Sequence, residues 1–391
     1  MAQESSVPQH LAGLEPGFDL PALPGMSLSE VQTPALILDL DALARNLRRM
    51  STFVATHGMK LRVHGKMHRS VDVYRLQEQI GGASGICCQK VSEAEVFARA
   101  GVKDILISNE VRDPRMIDRL AQLPRFGGRV AVCVDAPGAV ADLAQAVARH
   151  GYPLDVLVEY DSGAGRCGVQ GADAAVALAQ AITAAEGLRY AGLQSYQGSV
   201  QHLTEFNSRR AAAAEAILRT AEVIDALKAA GLPPETVTGA GTGSYTFETS
   251  SGIYTELQCG SYAFMDADYG RVLDIEGRRF DEGLWENALF VLTQVISTAK
   301  PGQAVTDAGL KSLTMESGLP LVFGRPGLTC TGVSDEHSQI RDPEGVLRIG
   351  ERLRLVPGHC DPTCNLHDWY VGLRGDQVEV LWPVSARGRS Y

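Results

Sequence analysis

Val63-His64-Gly65-Lys66-Met67-His68-Arg69-Ser70 sets a single lysine between two histidines at the end of a short apolar run. A lysine held at a strand end can act as an amine nucleophile toward a carbonyl. Pyridoxal phosphate is the carbonyl cofactor that uses lysine in this way, so Lys66 is a candidate Schiff-base residue. The competing reading is a solvated loop lysine, the commonest state of that residue type. His64, two residues before it, and His202, in a later loop, are candidate bases for a substrate hydroxyl proton, with a metal-bound hydroxide as the alternative.

A glycine-rich stretch could serve the phosphate of that cofactor. Gly239-Ala240-Gly241-Thr242-Gly243-Ser244 allows close backbone approach, and its successive amides can form an anion-binding nest. Thr242 and Ser244 add hydroxyls. The Gly-Lys-Ser/Thr ending of a P-loop is missing, and the plain alternative is a flexible turn. Asp161-Ser162-Gly163-Ala164-Gly165-Arg166-Cys167-Gly168 carries one arginine, which could meet a cofactor ring or simply pair with Asp161. Gln89, Tyr196 and Tyr262 are further candidates to line the ring, although aromatics at strand ends often only fill a core.

Near the C-terminus runs Pro357-Gly358-His359-Cys360-Asp361-Pro362-Thr363-Cys364. If this segment is extended, His359 and Asp361 share a face while Cys360 turns away. An imidazole and a carboxylate, completed by water, suit Mn²⁺, Mg²⁺ or Co²⁺. Zinc held by His359, Cys360 and Cys364 would need a local bend. A proline-rich turn with a satisfied histidine is the structural alternative. His367-Asp368 reads as supporting or structural, and Asp335-Glu336-His337 as a loop tip able to add a ligand.

The elements that must position these residues follow a rhythm. Apolar or β-branched runs at 59–64, 83–88, 104–108, 129–134, 154–160, 190–196, 235–239 and 256–264 alternate with helical patterns. Ser70 opens one helix. Ser92-Glu93-Ala94-Glu95 reads as a capping box, and Asp113-Pro114 as a helix start. Alanine-rich runs cover 136–149, 171–185 and 205–230. Such alternation over this length predicts a (β/α)8 barrel, with a doubly wound open sheet as the rival. Lys66 then follows the first barrel strand, and Gly239–Ser244 follows the seventh, where barrels often bind phosphate.

After about Arg271 the helical patterns stop. Strand-like runs at 288–299, 304–307, 319–323, 328–334, 352–356, 369–373 and 378–382 are separated by turn signals. The expected division is an arm at 1–31 that could pack on another subunit, a barrel at 32–271 and a mainly antiparallel β-domain at 272–391. The strand at 35–39 may be shared with the latter domain. With 391 residues, 45% of them hydrophobic, and a net charge of −10, the chain can bury two cores and is a poor nucleic-acid binder. No apolar stretch approaches ~18 residues, so no span of a membrane is expected. Eight cysteines without a paired spacing suit a reducing, cytoplasmic setting.

Combined, the lysine after the first barrel strand, the Gly-Thr-Gly-Ser turn and the His-x-Asp of a β-domain resemble the fold-type III pyridoxal-phosphate enzymes, the alanine-racemase-like barrels. Within these the chain is most similar to the D-threonine aldolase branch. Gln32-Thr33-Pro34-Ala35-Leu36-Ile37-Leu38-Asp39-Leu40-Asp41 resembles the family's opening. His64-Gly65-Lys66-Met67-His68 resembles its Schiff-base motif, where alanine is usual at Gly65 and threonine at Met67. Those departures resemble the hydroxyaspartate aldolases of the branch, as do Cys87-Cys88-Gln89-Lys90-Val91-Ser92-Glu93-Ala94-Glu95-Val96 and Trp382-Pro383-Val384-Ser385-Ala386-Arg387-Gly388. The resemblance runs from about residue 18 to the last.

It implies that Lys66 forms the Schiff base, that Gly241, Thr242 and Gly243 hold the phosphate, and that Arg166, Tyr196 and Tyr262 line the cofactor. It implies a metal on His359 and Asp361. The related D-serine dehydratases carry a cysteine two residues after the histidine and use zinc, whereas Asp361 stands here, favouring a harder metal. The implied reaction is retro-aldol cleavage of a β-hydroxy-D-amino acid, 3-hydroxyaspartate first, to glycine and an aldehyde, in a homodimer with shared active sites. A distal carboxylate on the substrate would need a cation, and Arg69, Lys311 and Arg325 are the loop candidates. Rival readings are a broad D-threonine or D-phenylserine aldolase, a dehydratase, a racemase, a sugar-phosphate barrel enzyme without the cofactor, and a non-enzymatic pyridoxal-phosphate carrier.

Overall fold

Eight parallel strands close on themselves in the computed structural model, which describes residues 9–391. Strand β1 (Ala35–Asp39) lies outside that barrel. The barrel comprises β2 (Lys60–His64), β3 (Ala83–Cys88), β4 (Asp104–Ile107), β5 (Arg129–Val134), β6 (Leu154–Glu159), β7 (Leu188–Ser195), β8 (Thr236–Gly239) and β9 (Glu256–Leu257). Every neighbouring pair is parallel, and β9 returns to β2. The barrel reading therefore holds over the open sheet. The last strand is only two residues long, because Gly260 and the 3-10 turn Ser261–Ala263 end the run expected to reach residue 264. Small and branched side chains fill the interior: Cys87, Leu106, Ala131, Cys133, Leu157 and Ala191 form one buried cluster.

The N-terminal rim of the barrel carries a chain of ion pairs. Arg62 of β2 donates to Glu256 of β9 and to Asp104 of β4, each at 2.7 Å. Arg129 of β5 links Asp104 (3.6 Å) to Asp155 of β6, and Arg189 of β7 links Asp155 (2.7 Å) to Glu235. Arg62 and Glu256 are buried, so each charge depends on its partners. Gly85 leaves the space, since a Cβ there would stand 2.7 Å from the Arg62 guanidinium.

Helices follow the strands as the periodicity predicts. Ser70 is the N-cap of Val71–Ile80, and Asp113 caps Pro114–Leu120 by accepting from the Arg115 and Met116 amides. The capping box at Ser92 is corrected. Helix Val91–Arg99 begins two residues earlier, with Lys90 at the N-cap, and the Ser92 hydroxyl instead bonds the Tyr391 carbonyl. Glu93 still reaches back, accepting from the Gln89 amide at 3.0 Å.

A nine-stranded sheet forms the second compact unit. Its strands are β1 with β10 (Leu289–Lys300), β11 (Gln303–Thr306), β12 (Leu321–Val322), β13 (Thr329–Val333), β14 (Ser338–Arg341), β15 (Arg352–Val356), β16 (Trp369–Arg374) and β17 (Gln377–Pro383). Strand order is β13-β14-β11-β10-β1-β16-β17, with β15 joining β10 and β12. All pairings are antiparallel except β1 with β16, so the sheet is mixed. Strand β14 was not expected from sequence. Its four residues alternate buried and exposed, and only Ile340 is a large apolar side chain. The N-terminal stretch contributes Leu11, Leu20, Ala22 and Val31 to the core of this sheet, together with Ile37, Phe290 and Val371. Those apolar residues are therefore used within this chain; residues 1–8 of the expected arm lie outside the described residues. Among the described residues, no helix is long and apolar enough to cross a membrane.

Candidate active site

Lys66 sits in the 3-10 turn Gly65–Met67, which follows β2 directly at the C-terminal mouth of the barrel. Gly65 packs closely, since a Cβ there would lie 2.8 Å from Ile86 Cδ1 and 3.3 Å from the Cys87 carbonyl. Arg69, with φ of 51°, then turns the chain into the next helix. The half-buried His64 ring faces Gln89, whose amide nitrogen lies 3.0 Å from His64 Nε2 and 3.0 Å from Ser108 Oγ. With that amide donating, Nε2 is an acceptor and the ring proton belongs on Nδ1. Gln89 is itself fixed, since Asn109 Nδ2 donates to its carbonyl at 3.1 Å. Burial pushes the Glu93 carboxyl, which supports the Gln89 amide, up to about 7.

Across the mouth, Ala240 has a φ of 67° directly after β8, and the Ser244 and Tyr245 amides both donate to the Gly241 carbonyl, at 3.1 Å and 3.0 Å. Gly241 and Gly243 press against Gln201, where a Cβ would come within 2.4 Å and 2.7 Å respectively. Gln201 Oε1 accepts the Gly243 amide at 2.9 Å, and its Nε2 donates to Ser244 Oγ at 2.7 Å. Gly243 therefore shapes the cradle more than it offers a donor. Thr242 Oγ1 accepts the Tyr262 amide at 3.0 Å and so ties the cradle to a second candidate residue. Tyr262 is fully buried beside Trp285, and its hydroxyl has no hydrogen-bond partner in the protein.

Arg166 is exposed, and its guanidinium carbon lies 5.9 Å from the centre of the Tyr196 ring. It does not pair with Asp161, which is occupied by the amides of Gly163 and Gly165 and by Gln170. Acidic groups surround it instead. Glu159, buried at the end of β6, has its carboxyl pushed up to about 8 by burial and by the Glu110 charge, with Arg166 opposing both. Ligating atoms of Glu110, Asp135 and Cys167 lie within 4.8 Å of one another. His202 is exposed, its ring 5.9 Å from that of Tyr269.

In the unit with the nine-stranded sheet, the segment at His359 is a corrected expectation. It is not extended: His359 is the N-cap of the short helix Cys360–Cys364, with φ of −143° and ψ of 129°. Its ring still meets Asp361, Nε2 standing 3.5 Å from Oδ1. The other nitrogen, Nδ1, lies 2.8 Å from Glu316 Oε1, and buried Asp266 accepts the Cys360 amide at 2.9 Å. Burial pulls the imidazole pKa down, but the hydrogen bond and charge of Asp361, the Asp266 charge and the Glu316 hydrogen bond outweigh it and push it to about 9. A histidine faced by three carboxylates is a place for positive charge, either a proton or a divalent cation. Sequence spacing could not reveal Glu316 or Asp266, which lie 43 and 93 positions away from His359.

Cys360 and Cys364 are fully buried, and burial pushes both thiols up. His367 Nε2 donates to the Ser312 carbonyl (2.7 Å) and Asp368 pairs with Arg387 (3.0 Å), so both serve structure. Glu336 is paired with Lys311, and Glu351 with Arg325 at 2.7 Å, which engages two of the three loop cations. Arg69 remains three residues from Lys66, its Nη1 3.1 Å from Ser390 Oγ.

Residues 38–268 match the family described as alanine racemase, N-terminal domain, and residues 288–373 match that described as putative serine dehydratase domain. A 3-hydroxy-D-aspartate aldolase of Paracoccus denitrificans (strain Pd 1222) is 59% identical over 380 residues, 97% of this chain and 98% of its own. A D-threonine aldolase of Arthrobacter sp is 46% identical over 373 residues, 95% of this chain and 96% of its own. The crystal structure of D-threonine aldolase from Filomicrobium marinum superposes with a TM-score of 0.91 at 46% identity, covering 95% of this chain and all of that one.

Proposed function

The chain belongs to the alanine racemase N-terminal domain family, and from that premise we propose that it cleaves 3-hydroxy-D-aspartate to glycine and glyoxylate with pyridoxal phosphate and a divalent metal. The observation that carries this reading is the ring of carboxylates on His359: Asp361 and Glu316 on its two nitrogens and Asp266 on the adjoining amide. A racemase has no use for such a cation site, whereas a Lewis acid on the β-hydroxyl would assist cleavage of a β-hydroxy acid.

The residues present fit the cofactor. A glycine cradle that a Cβ would fill lies after β8, and the buried Tyr262 hydroxyl lacks a protein partner. In this reading residues 32–271 form the cofactor barrel and 272–391 carry the metal ligands. Lys66 holds the cofactor aldehyde, Gly241, Thr242 and Gly243 hold the phosphate, and Gln89, Arg166, Tyr196 and Tyr262 line the ring. Bound pyridoxal phosphate supplies an electron sink for the Cα–Cβ bond that breaks. A cation of the Mn²⁺, Mg²⁺ or Co²⁺ class on His359 and Asp361 supplies a Lewis acid for the β-hydroxyl.

The chain's own groups then have defined proton positions. His64 carries its proton on Nδ1 because Gln89 donates to Nε2. The exposed His202 can exchange its proton with solvent and is the better acceptor for the β-hydroxyl. Between turnovers Lys66 would be the amine that holds the cofactor aldehyde. Arg69, three residues from Lys66 in the turn that leads into the next helix, is the cation we assign to the distal carboxylate. We place the enzyme in the cytoplasm as a homodimer with shared active sites; all eight cysteines are free.

Incubation with D-3-hydroxyaspartate, D-threonine or D-phenylserine, with and without Mn²⁺ or Mg²⁺, tests the proposal. Equimolar glycine and glyoxylate, dependent on metal and fastest for hydroxyaspartate, are expected. Ammonia and a keto acid would mean a dehydratase, and chelator-insensitive inversion at Cα a racemase.

A further inference from the structure

Arg209 is 1% exposed, near the start of the alanine-rich helix Phe206–Ala229. Four backbone carbonyls accept from its guanidinium. Nε donates to Gly243 at 2.8 Å, Nη1 to Leu203 at 2.7 Å and Thr204 at 2.9 Å, and Nη2 to Leu273 at 2.5 Å. Phe206 and Phe280 lie at its sides, with ring centres 5.8 Å and 5.4 Å from the guanidinium carbon.

A buried guanidinium normally faces a carboxylate, because neutral carbonyls do not cancel its charge. Among the described residues none forms an ion pair with Arg209, and Glu205 is the one acid whose charge reaches it. Burial without a counter-ion lowers its pKa to about 10, still charged at neutral pH. The other buried arginine at a barrel strand, Arg62, has two acids at 2.7 Å. A buried cation left unneutralised by the protein calls for an anion from outside it.

The position of Gly243 says where that anion would be. Its carbonyl points to Arg209, and the Ser244 amide of the same peptide unit donates to the Gly241 carbonyl at 3.1 Å, closing the turn of the glycine cradle. Donation to the Gly243 carbonyl polarises that peptide and strengthens the bond that closes the turn. It also fixes the loop from behind, as Gln201 fixes it from the side. We infer that Arg209 is the positioning residue of the phosphate cradle, a buried, unpaired cation that selects a cofactor bearing a phosphate dianion. This rests on the reading of Gly241–Gly243 as the phosphate site.

The test compares pyridoxal phosphate with pyridoxal, which offers Lys66 the same aldehyde but no phosphate. Full-length protein, stripped of cofactor, is titrated with each, and with inorganic phosphate as competitor, for wild type, R209K and R209M. Loss of one buried hydrogen-bonded charge is expected to weaken pyridoxal phosphate binding about 10- to 100-fold in R209M while pyridoxal changes little, R209K lying between. Equal weakening of both ligands, or of neither, overturns the inference; so does failure of both variants to fold, which makes Arg209 a folding residue. If wild type itself binds the two ligands equally and phosphate does not compete, the cradle reading fails. If wild type discriminates and R209M keeps the full preference, the role of Arg209 alone fails.

Discussion

His359 and Asp361 meet across the first turn of a helix, with imidazole Nε2 3.5 Å from the carboxylate, while Glu316 takes Nδ1 at 2.8 Å. Opposite partners on its two nitrogens fix the ring. Replacing Asp361 by Ala removes one proposed ligand and leaves His359 with Glu316 and the Asp266 charge. Metal affinity should fall by roughly 10- to 100-fold or more, and cleavage should fail at low Mn²⁺, while the visible band of the bound cofactor persists. Unchanged metal affinity by calorimetry would remove Asp361 from the site.

Lys66 is half-buried in a single turn rather than in the core. Lys66→Ala should therefore leave thermal stability nearly unchanged. It should abolish the borohydride-reducible, visible-absorbing adduct and lower turnover by roughly a thousandfold or more. An unaltered spectrum would show that another amine holds the cofactor.

How this site was legible follows from sequence distance. Lys66, Gly241–Gly243 and the His359–Asp361 pair lie in short local patterns whose residue types already imply chemistry, and strand rhythm placed the first two at the barrel mouth. The partners that complete them come from far along the chain. Glu316 and Asp266 reach His359 only through folding, and Arg209 lies in an alanine-rich helix whose periodicity says nothing of four distant carbonyls. Extended geometry stops at His359, and the residues after it turn into a helix. Pro362 lies within the first turn of the helix there, where its missing N–H costs nothing, so His-x-Asp-Pro encodes a helix start as well as a strand. Strand β14 was lost because four residues with one large apolar side chain give no usable alternation.

The rim of the barrel gives a prediction about stability alone. Glu256 accepts from Arg62 at 2.7 Å and 3.0 Å and from Thr238 at 2.9 Å, with Arg62 buried. Glu256→Gln keeps the shape but halves the negative charge around that guanidinium. Breaking a buried pair in this way costs about 3–5 kcal/mol, which a urea midpoint will report. Because the rim is the end of the barrel opposite Lys66, kcat of the folded variant at room temperature should be unchanged. A midpoint equal to wild type would mean that Asp104 alone suffices for Arg62.

Glu248 links stability and the phosphate cradle through pH. It is buried in the helix Tyr245–Ser251, accepts from Ser244 Oγ at 2.8 Å, and burial pushes its carboxyl up to about 8 from an ordinary 4.5. Between those values the unfolded chain holds fewer protons than the folded one, so stability falls as pH rises from about 4.5 to about 8 and levels off beyond. The contribution is intact below the lower value. Glu248→Gln cannot ionise and retains an acceptor for Ser244. Its melting temperature should match or trail wild type near pH 5 and gain on it steadily toward pH 9. Ionised Glu248 also stands behind Ser244, whose hydroxyl touches the Gly241 amide at 3.4 Å. A negative charge there opposes a phosphate, so cofactor retention should fall above about pH 8 in wild type and hold in the variant. Parallel melting curves of the two proteins across this range would show that Glu248 does not change protonation on folding.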